Sequence, residues 1–162
     1  MTNIRIGSGS DIHRLVLGGR LILGGVEVDS ERGAEGHSDA DALLHAITDA
    51  ILGALALGDI GSHFSNDDPR WVNAESSIFL KYAAGLIAEH RFTVSNVDAT
   101  VSLEAPKLRP YIDQMRQNIA GILGIEVSQI SVKAKTSEKV DAVGELRAVR
   151  AEAVVLLERG EN

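Results

Sequence analysis

The alternation of apolar and polar positions divides the chain into short elements. Ile4 to Gly9 reads as a short strand, and Leu21 and Leu23 face Val26 and Val28 across Gly24-Gly25 in the pattern of a hairpin. From about Asp39 to Ala54 the chain is rich in alanine and leucine at helical spacing, with Ser38 or Asp39 suited to cap the first turn. A second helix is expected over residues 74–90, where Phe79, Ala83, Leu86 and Ile87 share a face and Asn73 or Ser76 can serve as cap. Phe92 and Val94 alternate in one phase and Val97, Ala99, Val101 and Leu103 in the other, so this strand should bulge at Ser95-Asn96. A helix from Pro110 carries Ile112, Met115, Ile119 and Ile122 on one face and stops at Gly124. Ile130, Val132 and Ala134 mark a strand, and Ala148 to Leu157 another, whose Val154-Val155-Leu156-Leu157 run implies cover on both faces.

This order predicts an α+β fold: a mixed or antiparallel four-stranded sheet with helices on one face plus a small hairpin, a ferredoxin-like variant. Residues 1–162 form a single domain, long enough to bury a core. Too few helices remain to cover the second sheet face, which points to other subunits. The composition, 44% hydrophobic and 24% charged, is that of an ordinary soluble protein. The net charge of −7 argues against a nucleic-acid surface. With no cysteine, a metal must be held by His, Asp or Glu. There is no apolar run of about eighteen residues and no basic-then-apolar leader, so the expectation is a cytoplasmic protein, or a mature form after processing, without a membrane partner.

The richest chemistry lies in residues 36–61. Asp41, His45 and Asp49 are spaced i, i+4, i+8, which puts them on one helix face with Ser38 near the same line, opposite Leu43, Ala46, Ile47, Ala50 and Ile51. An imidazole between two carboxylates suits a metal ligand whose tautomer is fixed from behind. Taken alone, a core histidine satisfied by Asp41 or Asp49 is the commoner case. Asp11 and His13, two apart in an extended segment, project to the same side and can supply two ligands to Zn²⁺, with His45 as the third and one position open. For that pair alone, a surface Asp and His is the commoner reading.

Other stretches leave two readings open. The loop Gly58-Asp59-Ile60-Gly61, followed by Ser62 to Pro69, can hold a polyhydroxylated substrate or be a polar connection. Lys107 at a strand end can meet a phosphate or be solvated. Thr136 and Glu138, between Lys135 and Lys139, can contact a phosphate and Mg²⁺ or form a charged surface loop. Trp71 reads as a packing anchor.

RIGSGSDIHR at 5–14, GHSDADALLHAITDAILGA at 36–54, LGDIGSHF at 57–64, NVDAT at 96–100, APKL at 105–108 and KAKTSEK at 133–139 together closely resemble the 2-C-methyl-D-erythritol 2,4-cyclodiphosphate synthase family, over about residues 4 to 157. The resemblance implies a homotrimer with sheets packed around the threefold axis and active sites between neighbouring subunits. It implies one Zn²⁺ per subunit on Asp11, His13 and His45, and a second divalent cation, Mg²⁺ or Mn²⁺, on Glu138. His37 and Thr136 would orient the phosphates and stabilise the transition state. Ser38, Asp59 and Gly61 would hold the methylerythritol part, Ile60, Phe64 and Asp68 would also contact substrate, and Asp41 and Asp49 would be supports behind them. Leu103, Pro106, Lys107 and Leu108, with Ala134, Lys135 and Thr136, would line the cytidine pocket of the adjacent subunit, and Ser137 would also contact substrate. The implied reaction converts 4-diphosphocytidyl-2-C-methyl-D-erythritol 2-phosphate to the cyclic diphosphate and CMP. A metal-dependent phosphohydrolase and a non-catalytic trimeric nucleotide-binding module are the alternatives.

Three positions depart from the common family pattern. Asn66 replaces a loop carboxylate, Glu145 and Arg147 appear with acid and base exchanged, and Ala142 stands where an aromatic is usual.

Overall fold

The computed structural model describes residues 4–160. Seven strands and five helices follow in the order β1 (Ile4–Leu17), β2 (Leu21–Leu23), β3 (Val26–Val28), β4 (Arg32–Glu35), α1 (Ala42–Ala54), α2 (Ile60–His63), α3 (Ser77–Glu89), β5 (Phe92–Ser102), α4 (Ile112–Leu123), β6 (Ile130–Lys135), α5 (Asp141–Gly144) and β7 (Ala148–Arg159). The main sheet has five strands in the order β4-β1-β7-β5-β6, and β2-β3 form a separate hairpin. Only β5-β6 is parallel among its pairings; the rest are antiparallel. The fold is therefore α+β with a mainly antiparallel sheet.

Two differences from the sequence reading concern the sheet. It has five strands rather than four, because Arg-Gly-Ala-Glu at 32–35 adds an edge strand that has no apolar alternation to betray it. Strand β1 runs to Leu17, well past Gly9, since its partner β7 continues to pair through Arg14↔Ala148 and β4 takes over from Arg14↔Glu35. The phase change in β5 is real: its register against β7 shifts between Val94 and Asn96.

One sheet face carries the core. Val149, Ala151, Ala153, Val155 and Leu157 of β7 and Val97, Ala99 and Val101 of β5 are buried beneath α1, α3 and α4. The other face is open in the single chain, with Ile6 71%, Ile12 55% and Val154 42% exposed. So β7 is covered on one side here, and the cover expected on the second side is not supplied by the described residues.

Helix α1 is buried along nearly its whole length, which leaves it no room above β1 for ordinary side chains. A Cβ at Gly9 would lie 2.1 Å from the Ala46 carbonyl oxygen, and one at Gly7 would lie 1.9 Å from that of Ala50. Glycine at these two positions brings the helix backbone against the strand, and with it His45 close to Asp11.

The helix begins later than its composition suggests. Asp41, not Ser38 or Asp39, is the N-cap and accepts from the Leu44 amide at 3.0 Å. The same buried carboxylate accepts from the Gly24 amide at 2.9 Å and the Gly25 amide at 2.7 Å, tying the β2-β3 turn to the start of α1. Burial pushes the Asp41 carboxyl up to about 6, against the pull of these amides.

Candidate metal and substrate site

Strand β1 projects Asp11 and His13 from its helix-facing side, and α1 brings His45 to them. The Asp11 Oδ2 lies 2.8 Å from His13 Nε2 and 2.9 Å from His45 Nδ1, and the two ring nitrogens are 3.3 Å apart. All three side chains are half-buried, and the cluster could hold a metal ion. A tetrahedral ion with ligands at about 2.0–2.2 Å sets its donors roughly 3.3–3.6 Å apart, close to this triangle. The donor set, one carboxylate and two imidazoles, is that of a catalytic zinc centre with an open position.

The hydrogen bonds behind the triad fit this use. His13 Nδ1 faces the Glu35 carbonyl at 3.0 Å; a carbonyl only accepts, so Nδ1 carries a proton and Nε2 is the nitrogen turned to Asp11, donating to it in the metal-free chain and able to give up that proton to serve as a ligand. A Cβ on Gly36 would meet the His13 ring at 2.9 Å, so glycine there lets the ring turn this way. Burial raises the Asp11 carboxyl, but hydrogen bonds and charge from His13 and His45 outweigh it and bring it down to about 2. Burial lowers the His13 imidazole, and the bond and charge of Asp11 more than reverse this, so its pKa is raised.

The triad forms one wall of a cavity of about 330 Å³. Gly36, His37, Ser38, Ile60, Phe64, Asn66, Trp71 and Phe79 complete its lining. Of the residues read from sequence as substrate contacts, the structure thus gathers His37, Ser38, Ile60 and Phe64 beside Asp11, His13 and His45. Asp59 and Gly61 are exposed on the same loop, where Asp59 accepts from the Ser62 amide at 2.8 Å and caps α2. Asp68 caps the next turn, accepting from the Arg70 amide at 3.0 Å and pairing with its guanidinium.

Neither predicted carboxylate stands behind His45. Asp41 is spent on the hairpin amides, and Asp49 accepts from the Ile60 amide at 2.7 Å, supporting the loop instead. Helical periodicity puts the three on one face but does not say how far each side chain turns.

The second group of predicted residues lies elsewhere in the same chain. Asp11 pairs with Ala151, Ala151 with Val101, and Val101 with Ala134, so Ala134 sits three strands across from the triad, roughly 14 Å away at ordinary strand spacing. The segments 103–108 and 134–138 adjoin each other there: Glu104 accepts from the Ser137 amide at 2.9 Å and the Lys139 amide at 3.2 Å. Thr136 donates to Glu138 at 2.8 Å, and Glu138 and Lys139 both adopt left-handed backbone, with φ of 51° and 62°. Lys107, Ala134, Lys135, Thr136 and Glu138 are exposed, while Pro106 and Ser137 are half-buried. The Leu103 and Leu108 side chains are in the core, leaving only their backbone to meet a ligand.

Sequence reasoning passed over two residues at or beside the cavity. Trp71 packs edge-on against Phe64, with ring centroids 5.0 Å apart, and lines the cavity as well as anchoring the loop. Ser76, read as a helix cap, makes no side-chain cap bond and reaches His45 instead. A serine before a helix gives no sequence signal of that kind.

The profile of the YgbB family matches residues 4–158. A 2-C-methyl-D-erythritol 2,4-cyclodiphosphate synthase of Thermosynechococcus vestitus is 53% identical over 99% of this chain and 99% of its own length. Among solved structures, the bifunctional IspDF of Campylobacter jejuni superposes with a TM-score of 0.93 at 37% identity; 98% of this chain is covered, which spans 43% of that longer protein. The CDP complex of Plasmodium falciparum IspF gives a TM-score of 0.88 at 39% identity, covering 99% of this chain and all of that one. No helix among the described residues is long and apolar enough to cross a membrane.

Proposed function

The chain belongs to the YgbB family, the 2-C-methyl-D-erythritol 2,4-cyclodiphosphate synthases of non-mevalonate isoprenoid biosynthesis, and acts as a cyclising lyase of that pathway; we propose the following division of labour among its residues. The substrate is 4-diphosphocytidyl-2-C-methyl-D-erythritol 2-phosphate. An oxygen of its 2-phosphate forms a bond to the β-phosphorus, the bond from that phosphorus to the bridging oxygen breaks, and CMP leaves with the electron pair. The product is the eight-membered cyclic diphosphate, with no covalent enzyme intermediate. Both reacting groups are on one molecule, so catalysis is chiefly alignment and charge compensation.

Asp11, His13 and His45 would hold Zn²⁺, and Glu138 would help to hold Mg²⁺ or Mn²⁺; when bound, these ions would supply Lewis-acid compensation of the phosphate charge. His37 and Ser38, on the cavity wall, position the phosphate and methylerythritol groups, and Asp59 and Gly61 bind the polyol hydroxyls. Ile60 and Phe64 exclude water from the reacting end. Thr136 holds the diphosphate from the other side, and the backbone of residues 103–108 with Ala134 to Ser137 receives the cytidine.

These two groups meet if chains assemble as a homotrimer, with the cytidine end of one copy beside the triad of its neighbour. The exposed Ile6, Ile12 and Val154 on the open sheet face support that assembly, since large apolar side chains left in water along a sheet face are commonly buried at an interface. The bound CDP in the Plasmodium falciparum relative supports the cytidine assignment.

The convergence of Asp11, His13 and His45 within 3.3 Å on the wall of a cavity of about 330 Å³ carries this reading. The test is incubation of purified protein with the cytidylylated substrate, Zn²⁺ and Mg²⁺, followed by phosphorus NMR. Stoichiometric CMP and cyclic diphosphate, abolished in His45→Ala, are expected. Linear phosphate release would overturn cyclisation in favour of hydrolysis.

A further inference from the structure

Behind the triad, Ser76 and Asp39 make a chain of contacts that the reaction described above does not use. The Ser76 side chain is fully buried at the N-terminal boundary of α3, where a serine ordinarily gives its oxygen to a helix amide; here it caps nothing. Its Oγ lies 2.8 Å from His45 Nε2 and donates to Asp39 Oδ1 in a short bond. Asp39 also accepts from the Ser76 amide at 3.1 Å and the Asp41 amide at 3.3 Å.

The direction of each bond follows from what each group can give. An ionised Asp39 only accepts, so the single Ser76 hydroxyl hydrogen points to it. The Ser76 oxygen then turns a lone pair to His45, and Nε2 must bring the proton. That leaves His45 Nδ1 as the nitrogen turned to the point where Asp11 and His13 Nε2 converge, the one that can exchange its contact with Asp11 for a metal.

We propose that Ser76 and Asp39 are positioning residues that hold His45 as an Nδ1 metal ligand; this rests on the reading of Asp11, His13 and His45 as a metal site. The arrangement also divides labour between two serines. Ser38 is the second hydroxyl near His45 Nε2, at 3.2 Å, but it lines the cavity, whereas Ser76 lies outside it. Ser38 is therefore free to turn to substrate while Ser76 keeps the imidazole in place. The same bonds fasten the 37–39 segment to the start of α3, reinforced by Asn73 N to His37 O at 2.8 Å and Asp39 N to Ala74 O at 3.0 Å.

The test measures zinc affinity by competition with a chromogenic chelator, using the full chain and its Ser76→Ala, Asp39→Asn, Ser38→Ala and His45→Ala variants. Circular dichroism of each metal-free protein reports folding, and the visible spectrum of the Co²⁺-loaded protein reports ligand geometry. Ser76→Ala and Asp39→Asn should each weaken zinc about 10- to 100-fold and alter the Co²⁺ bands, whereas Ser38→Ala should shift affinity less than about threefold. If Ser76→Ala does not fold, Asp39→Asn decides. Variants that fold and bind zinc within about twofold of the parent, with unchanged Co²⁺ bands, overturn the relay. A parent that binds no zinc, or a His45→Ala that binds as tightly, overturns the metal reading itself and the relay with it.

Discussion

Removing the Asp41 carboxylate should cost more stability than its size suggests, because one side chain terminates three backbone donors. In Asp41→Ala the Gly24 and Leu44 amides are left buried without an acceptor, while the Gly25 amide is only part-buried and can reach water. At about 1–3 kcal/mol for each buried orphan, the two amount to roughly 2–6 kcal/mol. Against a whole-domain stability of about 5–15 kcal/mol this is a large share. A chain of 162 residues has a melting entropy on the order of 0.34 kcal/mol/K, so the midpoint should fall by about 6–18 °C. Asp41→Asn retains one oxygen for Gly24 and Leu44 but sets an NH₂ group against the Gly25 amide, losing one bond. It should fall by about half as much. The assay is thermal or urea unfolding of chelator-treated protein at matched chain concentration, so that neither metal nor assembly hides the difference. Hydrogen exchange at Gly24 and Gly25 should accelerate in step. An alanine variant melting within about 2 °C of the parent, or an asparagine variant less stable than alanine, would refute the reasoning.

The same residue sets a pH dependence. Its folded-state pKa, raised by burial from 3.8 to about 6, means the native state keeps a proton that the unfolded chain has released, so the contribution favours folding below about pH 4 and is lost as pH climbs to about 6. The stability gap between parent and Asp41→Asn should therefore narrow across that window; a gap constant from pH 4 to 7 in urea titrations contradicts it. Gly9→Ala would force a methyl onto the Ala46 carbonyl, costing about 1–3 kcal/mol and lifting α1 from β1. Both the melting point and zinc affinity should drop, and a variant normal in both would show that the close approach is not required. On the proposed assembly, the parent should be a trimer in light scattering and Ile6→Glu a monomer. A parent that is itself monomeric would remove the basis for the assembly.

Much of this architecture could be read from the chain because each cue had a local physical cause. The bulge in β5 announced itself as a change of apolar phase, and Gly124 marked the end of α4 with a left-handed φ of 68°. Asp11 and His13 were legible as a pair because strand geometry alone puts i and i+2 on one side. Three things were not. Strand β4 owes its existence to pairing with β1, and its Arg-Gly-Ala-Glu sequence has no alternation of its own. Asp41 was assigned to His45 by helical spacing, yet two glycine amides distant in sequence claimed it. Ser76 looked like a cap because capping is local, whereas its hydroxyl is committed to His45, 31 residues away. Local rules fixed the elements; competition for hydrogen bonds between distant segments decided which polar side chain served which partner.

The separation of Ala134 from Asp11 by three strands within one chain has a genetic corollary. If the centre is shared between neighbouring chains as proposed, a copy crippled at His45 and another crippled at Thr136 would each be inert alone, yet a mixed assembly would juxtapose the intact half of one with the intact half of the other. Random mixing in equal amounts would revive on the order of a quarter of the composite centres. Two null alleles of one gene would then rescue each other, whereas a lesion and its own duplicate never could.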